Sequence, residues 1–356
     1  MKKRLLVDLS SLKNIYSGLG QIALSYGNYF KESYKSEIFP YDITLLLPRK
    51  YFGEFGNEVN YLSSSNFLRK IKLFPFPKYD IWHSIHQLSR YRPIYKDTKY
   101  VLTIHDLNFL YEKTANSRQK RFIKIQNKVD RANEIVCISH FTKKEVEKNL
   151  SLKGKECKVI YNRVPLIKND MAVKPTFEIN EPFFFTLGVI NPKKNFHVLL
   201  DMMKLMPDRH LYITGIKADI KQNSYANLIK LRIKQENIQN VTLRGPVTHE
   251  EKVWMYQNCQ AFLFPSLLEG FGLPVIEAMQ FGKPVFTSVE TSLKEIGGEF
   301  AYFWKNFNPI EMKKLIEDNL DKFYQNNTLI EKEKEYAQIF SCEQHFNEYD
   351  KLYRSV

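Results

Sequence analysis

The chain has 356 residues, 44% of them hydrophobic and 26% charged, which is the balance of a globular protein with two domains. The composition excludes a membrane-spanning chain, since no apolar run approaches the roughly 18 residues that cross a bilayer. The net charge of +14 is uneven: residues 1–170 hold 31 Lys and Arg against 16 Asp and Glu, and residues 171–356 hold 22 against 23. The first half should therefore meet an anionic ligand or surface.

The N-terminus and the cysteines indicate a cytoplasmic protein. Asp8 interrupts the first apolar run, which is then too short for a signal peptide. The cysteines at positions 137, 157, 259 and 342 have no metal-binding spacing, so we interpret them as reduced thiols. We expect no metal site and no leader sequence.

Short apolar runs alternate with helical patterns along the chain, which predicts parallel sheets with right-handed crossovers. Residues 164–182 contain three prolines and little periodicity, and they predict a linker between two sheets of about six strands. The candidate strands of the first half are Leu5–Leu9, Ile43–Leu47, Asp80–His83, Tyr100–Ile104, Ile135–Ile138 and Lys158–Tyr161. Those of the second half are Phe183–Leu187, Leu211–Thr214, Val241–Leu243, Ala261–Phe264, Pro284–Ser288 and Phe300–Phe303.

Two features of the first half could contact a ligand. Gly18 and Gly20 open the first helical pattern, although a lone pair of glycines is a weak signal. His105 and Asp106 follow an apolar strand, so they should lie at its carboxyl end, where open α/β sheets bind ligands. A buried structural histidine would have the same pattern, and the residues alone leave both interpretations open.

Basic residues recur at helical spacing over 118–131. Arg121, Lys124, Lys128 and Arg131 are three or four residues apart and should share one face. This face could be the solvated side of an amphipathic helix or a contact with anionic lipid headgroups. Aromatics alternate with cations over Phe67–Lys78, which predicts either an interfacial loop or a core strand with basic edges.

A glycine and two lysines follow the first strand of the second half, in the stretch LGVINPKKN. Gly188 makes a turn, and Lys193 and Lys194 come next. A lysine ammonium is a mobile point charge with three donors, which suits a diphosphate. A solvated basic loop would have the same composition.

The segment Pro265–Val285 is the most informative stretch of the chain. After an apolar strand come Glu269, Gly270 and Gly272, a helix opened by Pro274, and Glu277 about one turn inside it. The glycines let backbone approach a ligand closely, and the amides at the helix start form a site for phosphate. The two carboxylates could face the same ligand from its two ends.

This segment, EGFGLPVIEA, resembles the E-x7-E motif of the retaining glycosyltransferase family 4. LGVINPKKN is similar to the GxxxPRKN block of its mannosyltransferase-like members. The His-Asp pair, ISHFTKKEV, YNRV, TSLKEIGG and the closing FSCEQHFNEYDKLY also resemble family segments. Val189 stands where many members have Arg, so one phosphate cation is missing or is supplied by Lys193.

The resemblance implies a GT-B fold, α/β, with two Rossmann-like parallel-sheet domains facing a central cleft. It implies an acceptor domain over 1–165 joined by a crossing helix 340–356, a linker over 166–181, and a nucleotide-sugar domain over 182–339. Glu277 would bind the ribose and Glu269 the transferred sugar, with His105 and Lys194 as the other catalytic groups. The donor-binding set would be Gly18, Gly20, Gly188, Lys193, Lys194, Glu269, Gly270, Phe271, Gly272, Leu273 and Glu277.

The resemblance further implies transfer of a hexose, with a mannose-like sugar and a GDP-mannose-like donor favoured, to a glycan or lipid-linked acceptor in surface polysaccharide synthesis. The anomeric configuration would be retained, with no cofactor and no metal, since the nucleotide sugar is a substrate. An anionic membrane surface stays open as a further partner, with peripheral attachment at the inner face of the membrane, and no nucleic acid is expected.

Three alternatives remain. A GT-B sugar phosphorylase or epimerase would share the fold but would need no acceptor. A basic nucleic-acid-binding protein would suit the pI near 9.3, but the chain has no zinc-finger spacing and no RNP aromatics. A dinucleotide oxidoreductase would need a GxGxxG segment after the first strand, which is missing.

Overall fold

Two parallel sheets hold the strands of the computed structural model, which describes residues 2–15, 17–35, 40–65, 76–112, 114–167, 169–216 and 225–356. The chain divides into a first unit of residues 1–161 with 345–356 and a second unit of residues 162–344. The predicted α/β class with two Rossmann-like parallel sheets is confirmed. Most of the segment Phe67–Lys78 lies outside the described residues.

The sheet of the first unit has seven strands in the order β3-β2-β1-β4-β5-β6-β7, and all its pairs are parallel. The strand order reverses between β1 and β4, and ligands of open α/β sheets bind at such switch points. The strands are β1 Lys3–Asp8, β2 Tyr41–Leu47, β3 Asn60–Ser63, β4 Ile81–Ser84, β5 Lys99–Ile104, β6 Glu134–Cys137 and β7 Cys157–Val159.

The sheet of the second unit has six parallel strands in the order β10-β9-β8-β11-β12-β13, and its order reverses between β8 and β11. Its strands are β8 Phe183–Leu187, β9 His210–Thr214, β10 Val241–Leu243, β11 Ala261–Phe264, β12 Val285–Ser288 and β13 Tyr302–Trp304. Central strands such as β11 are buried along their whole length, which explains their continuous apolar sequences.

Helices separate most of these strands, as crossover connections of parallel sheets require. The helices of the first half are α1 Gly18–Lys35, α2 Phe109–Glu112, α3 Ala115–Arg131 and α4 His140–Asn149. Those of the second half are α5 His197–Met203, α6 Tyr225–Gln235, α7 His249–Asn258, α8 Leu273–Gln280, α9 Leu293–Gly297, α10 Pro309–Tyr324, α11 Asn327–Gln338 and α12 Cys342–Ser355.

The last helix, α12, packs on the first unit through buried polar contacts. The His345 ring bonds the Tyr26 hydroxyl at 2.9 Å, and the His83 ring bonds the Tyr353 hydroxyl at 2.6 Å. Tyr349 and Thr103 share a hydroxyl–hydroxyl bond of 2.7 Å. These bonds satisfy polar groups inside an aromatic cluster, so the C-terminal residues form part of the core of the first unit.

Candidate active site

The second unit presents its candidate residues where its strand order reverses. Lys194 ends the short 3-10 turn Pro192–Lys194 after β8, and Glu269 lies in the loop after β11. Since β8 and β11 are adjacent and parallel, both loops leave the sheet at the same edge. The strand order therefore brings together two motifs that are about 75 residues apart.

Lys194 and Glu269 form a largely buried ion pair. The Lys194 Nζ lies 2.5 Å from Glu269 Oε1 and 4.6 Å from the centre of the Phe264 ring. The Ser266 hydroxyl donates to the same carboxylate oxygen at 2.7 Å. The residue Lys194 is only 8% exposed, so its ammonium group is held in one position and has little contact with solvent.

Gly188 makes room for this lysine. Its φ of +151° belongs to the region that favours glycine, and a Cβ built on it would lie 2.9 Å from Lys194 Cε. Lys193 contributes through its backbone, because its carbonyl accepts from the Leu267 amide at 2.7 Å and from the Ser266 hydroxyl at 3.1 Å. The half-exposed Lys193 side chain does not share the buried setting of Lys194.

Glu277 makes a second ion pair, in the middle of α8. Its Oε1 lies 2.8 Å from Lys252 Nζ, and its Oε2 accepts from the Tyr256 hydroxyl at 2.9 Å. Lys252 and Tyr256 are four residues apart on α7, so both point from one face of that helix. Lys252 was not among the sequence candidates, although the capping box of Thr248 and Glu251 and the i, i+4 spacing are readable signals.

The loop between the two carboxylates is held by neighbouring hydroxyls. The Glu269 amide donates to Thr291 Oγ1 at 3.1 Å, and the buried Ser292 hydroxyl donates to the carbonyls of Glu269 and Phe271 at 3.1 and 2.8 Å. Phe271 packs edge-on against Phe340 at 5.6 Å. The TSLKEIGG segment thus braces the loop that carries Glu269.

The start of α8 has the backbone geometry of an anion site. Gly272 has φ +112°, and no described side chain caps the helix there. Pro274 has no N–H and the Val275 amide donates to the Gly272 carbonyl, so neither position offers a free N–H to a phosphate. The amides at the opening of the helix are those of Gly272 and Leu273, next to Gly270 and Phe271.

Of the candidate residues of the first unit, His105 and Gly20 make close contacts with their surroundings, whereas the position of Gly18 is open. His105 follows β5 and is 6% exposed, and its Nε2 bonds the Ile85 carbonyl at 2.7 Å. A Cβ on Gly20 would lie 2.0 Å from the Asn14 carbonyl oxygen, so packing against the preceding turn requires glycine there. A Cβ on Gly18 would meet no atom within 4 Å.

The structure corrects the expectation of one exposed basic face on α3. Lys128 is only 3% exposed, and the Arg131 guanidinium donates to the carbonyls of Tyr95 and Thr98 at 2.7 and 2.8 Å. The Lys124 ammonium donates to the Leu88 carbonyl at 3.0 Å. Helical spacing places these cations on one side, but Lys128 is buried there, and carbonyls of the segment after β4 accept from Lys124 and Arg131.

No helix in the described ranges combines the length and apolar character needed to cross a bilayer. Across the same ranges, no three His, Cys, Asp or Glu side chains are grouped so that they could hold a metal ion.

Comparison with known proteins covers nearly the whole chain. The model of Glycosyltransferase Family 4 matches residues 26–167, and the model of glycosyl transferases group 1 matches residues 168–337. The chain is 23% identical over 306 residues to the O-antigen chain mannosyltransferase RfbU of Salmonella typhimurium strain LT2, covering 80% of this chain and 82% of that protein.

Solved structures show the same fold. Sucrose-phosphate synthase from Thermosynechococcus elongatus has a TM-score of 0.75 at 16% identity, with 99% of both chains covered. Anabaena HepE in complex with UDP-glucose has a TM-score of 0.72 at 14% identity, covering 99% of this chain and 100% of that chain.

Proposed function

This chain belongs to family 4 of the glycosyltransferases and has their GT-B fold, and from this premise we propose that it transfers a mannose-like hexose from a nucleotide sugar. The acceptor is a glycan or a lipid-linked glycan, and the pathway is the synthesis of a surface polysaccharide. The name of RfbU supports the sugar and the pathway, and the UDP-glucose complex of HepE supports a nucleotide-sugar donor.

The observation that carries the proposal is the pair of lysine–glutamate contacts around one loop and one helix start. Lys194 pairs with Glu269 in that loop, and Lys252 pairs with Glu277 one turn inside the helix. In the chain, Gly272 and Leu273 lie between the two carboxylates, at the helix start. A nucleotide sugar presents hydroxyls at both ends and a diphosphate in the middle, and this order of groups suits it.

In the proposed reaction, cleavage of the anomeric bond builds negative charge on the leaving diphosphate. Lys194 and the amides of Gly272 and Leu273 stabilise that charge, and Lys193 adds a weaker, half-exposed cation. An ammonium has three donors, so Lys194 can keep its bond to Glu269 while it binds a phosphate oxygen. The acceptor attacks from the face that the diphosphate leaves, and the departing phosphate takes its proton, which retains the configuration without a metal.

The test is a screen of GDP-, UDP-, ADP- and dTDP-sugars by thermal shift, followed by sugar transfer in excess chelator. We expect GDP-mannose to give the largest stabilisation and transfer to continue when divalent metals are removed. Loss of activity in chelator that added metal restores would overturn the metal-independent mechanism. Turnover with inorganic phosphate and no acceptor would identify a phosphorylase instead.

We also propose that the first unit attaches to an anionic membrane surface. The basic excess of residues 1–170 supports this, as do the exposed side chains of Tyr111 on α2 and Ile123 on α3. Flotation with neutral and anionic liposomes tests it, with the double variant Tyr111→Ser and Ile123→Ser. Equal recovery on both kinds of liposome, or no loss in the variant, would contradict the attachment.

A further inference from the structure

The first unit has a switch point of its own, at the carboxyl ends of β1 and β4. Asp8 is the last residue of β1, and His86 follows β4 by two residues. Lys128 lies on α3 one turn after Lys124, whose ammonium donates to the Leu88 carbonyl, and the adjacent Ser89 donates to Asp8. Three buried ionisable side chains therefore lie near the point where this kind of sheet binds ligands.

Two of these side chains have a buried nitrogen atom without a hydrogen-bond partner. Within the described residues, neither the Nζ of Lys128 nor the Nδ1 of His86 has a hydrogen-bond partner. The residues are 3% and 7% exposed, so bulk water does not take the place of the missing hydrogen-bond partner. Buried polar groups are normally satisfied, and a buried ammonium without a partner is strongly unfavourable.

The surrounding charge is positive. Besides burial, the nearby cations Lys124 and Arg92 lower the pKa of Lys128. The pKa of His86 is lowered by burial and by Lys128, His105, Lys124 and Lys13. Lys124 itself is near Arg90, Arg121 and Lys13, which lower its pKa in addition to burial. Asp8 is the carboxylate that acts on both lysines, but its oxygens already accept from the Ser10 amide and the Ser89 hydroxyl. Burial lowers the pKa of Lys128 to about 7, in spite of Asp8. The cluster therefore lacks one anion.

We propose that this switch point binds a phosphoryl group of the acceptor, held by Lys128 Nζ and His86 Nδ1. The assignment to the acceptor rests on the proposed glycosyl transfer, whereas anion binding by the first unit does not. The His86 ring is neutral near pH 7, because burial lowers its pKa to about 3, and it can donate from Nδ1 as a neutral tautomer. An acceptor that carries a phosphate or diphosphate would supply the missing charge.

The direct test is calorimetric titration with inorganic pyrophosphate in a Lys194→Met background, which weakens diphosphate binding in the second unit. We expect the further change Lys128→Met or His86→Leu to weaken pyrophosphate binding by about tenfold or more. The matched control is Lys120→Met, which removes an exposed charge from the same helix and should leave the affinity unchanged. Equal affinities with and without Lys128 overturn the proposal.

Folding and protonation give independent measurements. Lys128→Met alone should unfold at an equal or higher temperature than the wild type, because it removes a buried ammonium without a partner; a clear loss of stability would make Lys128 a structural partner of Asp8 and contradict the site. Sulfate binding at pH 8 should take up protons, since Lys128 must regain its charge. Sulfate binding without proton uptake contradicts the role of Lys128.

Three further arms identify the source of the anion. Tighter binding of a prenyl diphosphate in micelles than of pyrophosphate indicates a lipid-linked acceptor, and equal binding of a soluble sugar phosphate indicates a free one. Binding of glucuronate without binding of pyrophosphate overturns the phosphoryl assignment. GDP should bind Lys128→Met as it binds the wild type, so loss of the donor site and loss of this site can be told apart.

Discussion

The two units place lysine and acid side chains at equivalent points of their sheets, but they balance the charges differently. At the switch point of the second unit, Lys194 pairs with Glu269, and Lys252 pairs with Glu277 on the following helix. At the switch point of the first unit, Lys128 is buried with no partner among the described residues. One site supplies its own counter-ions, and the other has an excess of cations.

This difference indicates how each site is prepared for its ligand. Carboxylates hold the lysines of the second unit in position without a ligand, so the proposed development of diphosphate charge would need little reorganisation. In the first unit, the burial of Lys128 without a partner in the described part of the chain is unfavourable, and a bound anion would reduce this cost. Variants that remove single charges test this difference, because the loss of a paired charge and of an unpaired charge should change activity, affinity and stability differently.

The largest effect is expected from Lys194→Met. It removes the cation closest to the proposed leaving group and leaves Glu269 with Ser266 as its partner. We expect kcat to fall by about 10²–10³-fold, as for the loss of one preorganised electrostatic donor. Steady-state kinetics with saturating donor measures it.

The control for this change is Lys193→Met on the neighbouring, half-exposed side chain. Its loss should be less than about fivefold, because water screens exposed charges. Equal losses in the two variants would mean that burial and pairing do not distinguish these lysines, and the paired-site interpretation would fail.

The next effect is expected from Glu277→Ala. This carboxylate is proposed to bind the ribose, so its removal should weaken donor affinity by about 1.5–3 kcal/mol, the value of a hydrogen bond to a charged group. The turnover number with saturating donor should change little. Titration with GDP gives the affinity, and unchanged binding would remove Glu277 from the donor site.

The second unit also has a buried acid on a helix outside the candidate site. Glu333 on α11 is fully buried, and neither of its oxygens has a partner in the described structure. Burial raises its pKa well above the usual value. Like Lys128, it is a buried ionisable group without a partner among the described residues, and replacing it with a neutral amide should stabilise the fold at neutral pH.

Glu333→Gln should therefore raise the free energy of unfolding, by an amount that depends on pH. In the wild type the folded state keeps its proton while the unfolded state loses it, so stability falls as pH rises above the unfolded pKa. The advantage of Gln should be small near pH 4 and should grow by at most about 1.4 kcal/mol per pH unit above that. Urea unfolding at pH 4, 6 and 8 checks it, and a constant difference would contradict the burial argument.

The sequence predicted most of the fold because the central strands are buried on both faces. The apolar runs of the central strands β8 and β11 match the predicted residues from end to end. No strand was predicted at β3, Asn60–Ser63, which pairs only with β2 at the sheet edge and has one buried residue among four. This half-exposed edge strand has no apolar run and depends on a neighbour that is distant in sequence.

In the candidate sites, too, the sequence predicted the features that are local in the chain and not the contacts between distant segments. The loop with Glu269 and the helix with Glu277 were readable because their glycines and spacing are local. The burial of Lys128 was not predictable, because it depends on the loop after β4, which contacts α3 and is distant from it in sequence. Helical spacing identified the correct face of α3 but not what covers it. Pairing across helices, as between Lys252 and Glu277, likewise needed the structure.

The smallest effect is expected from Lys252→Met. This variant tests whether Lys252 positions the Glu277 carboxylate. Lys252 and Glu277 are only 21% and 15% exposed, so their contact should exceed a typical surface pair. Without Lys252, Glu277 keeps the Tyr256 hydroxyl but loses the charge that holds its other oxygen. We expect GDP affinity to fall by about 1 kcal/mol, or about fivefold, with kcat unchanged. Lys252→Arg should restore most of it, and Lys314→Met, which breaks an exposed pair with Asp318, should change nothing. A fall in kcat, or a Kd equal to that of the wild type, would show that Lys252 does not position Glu277.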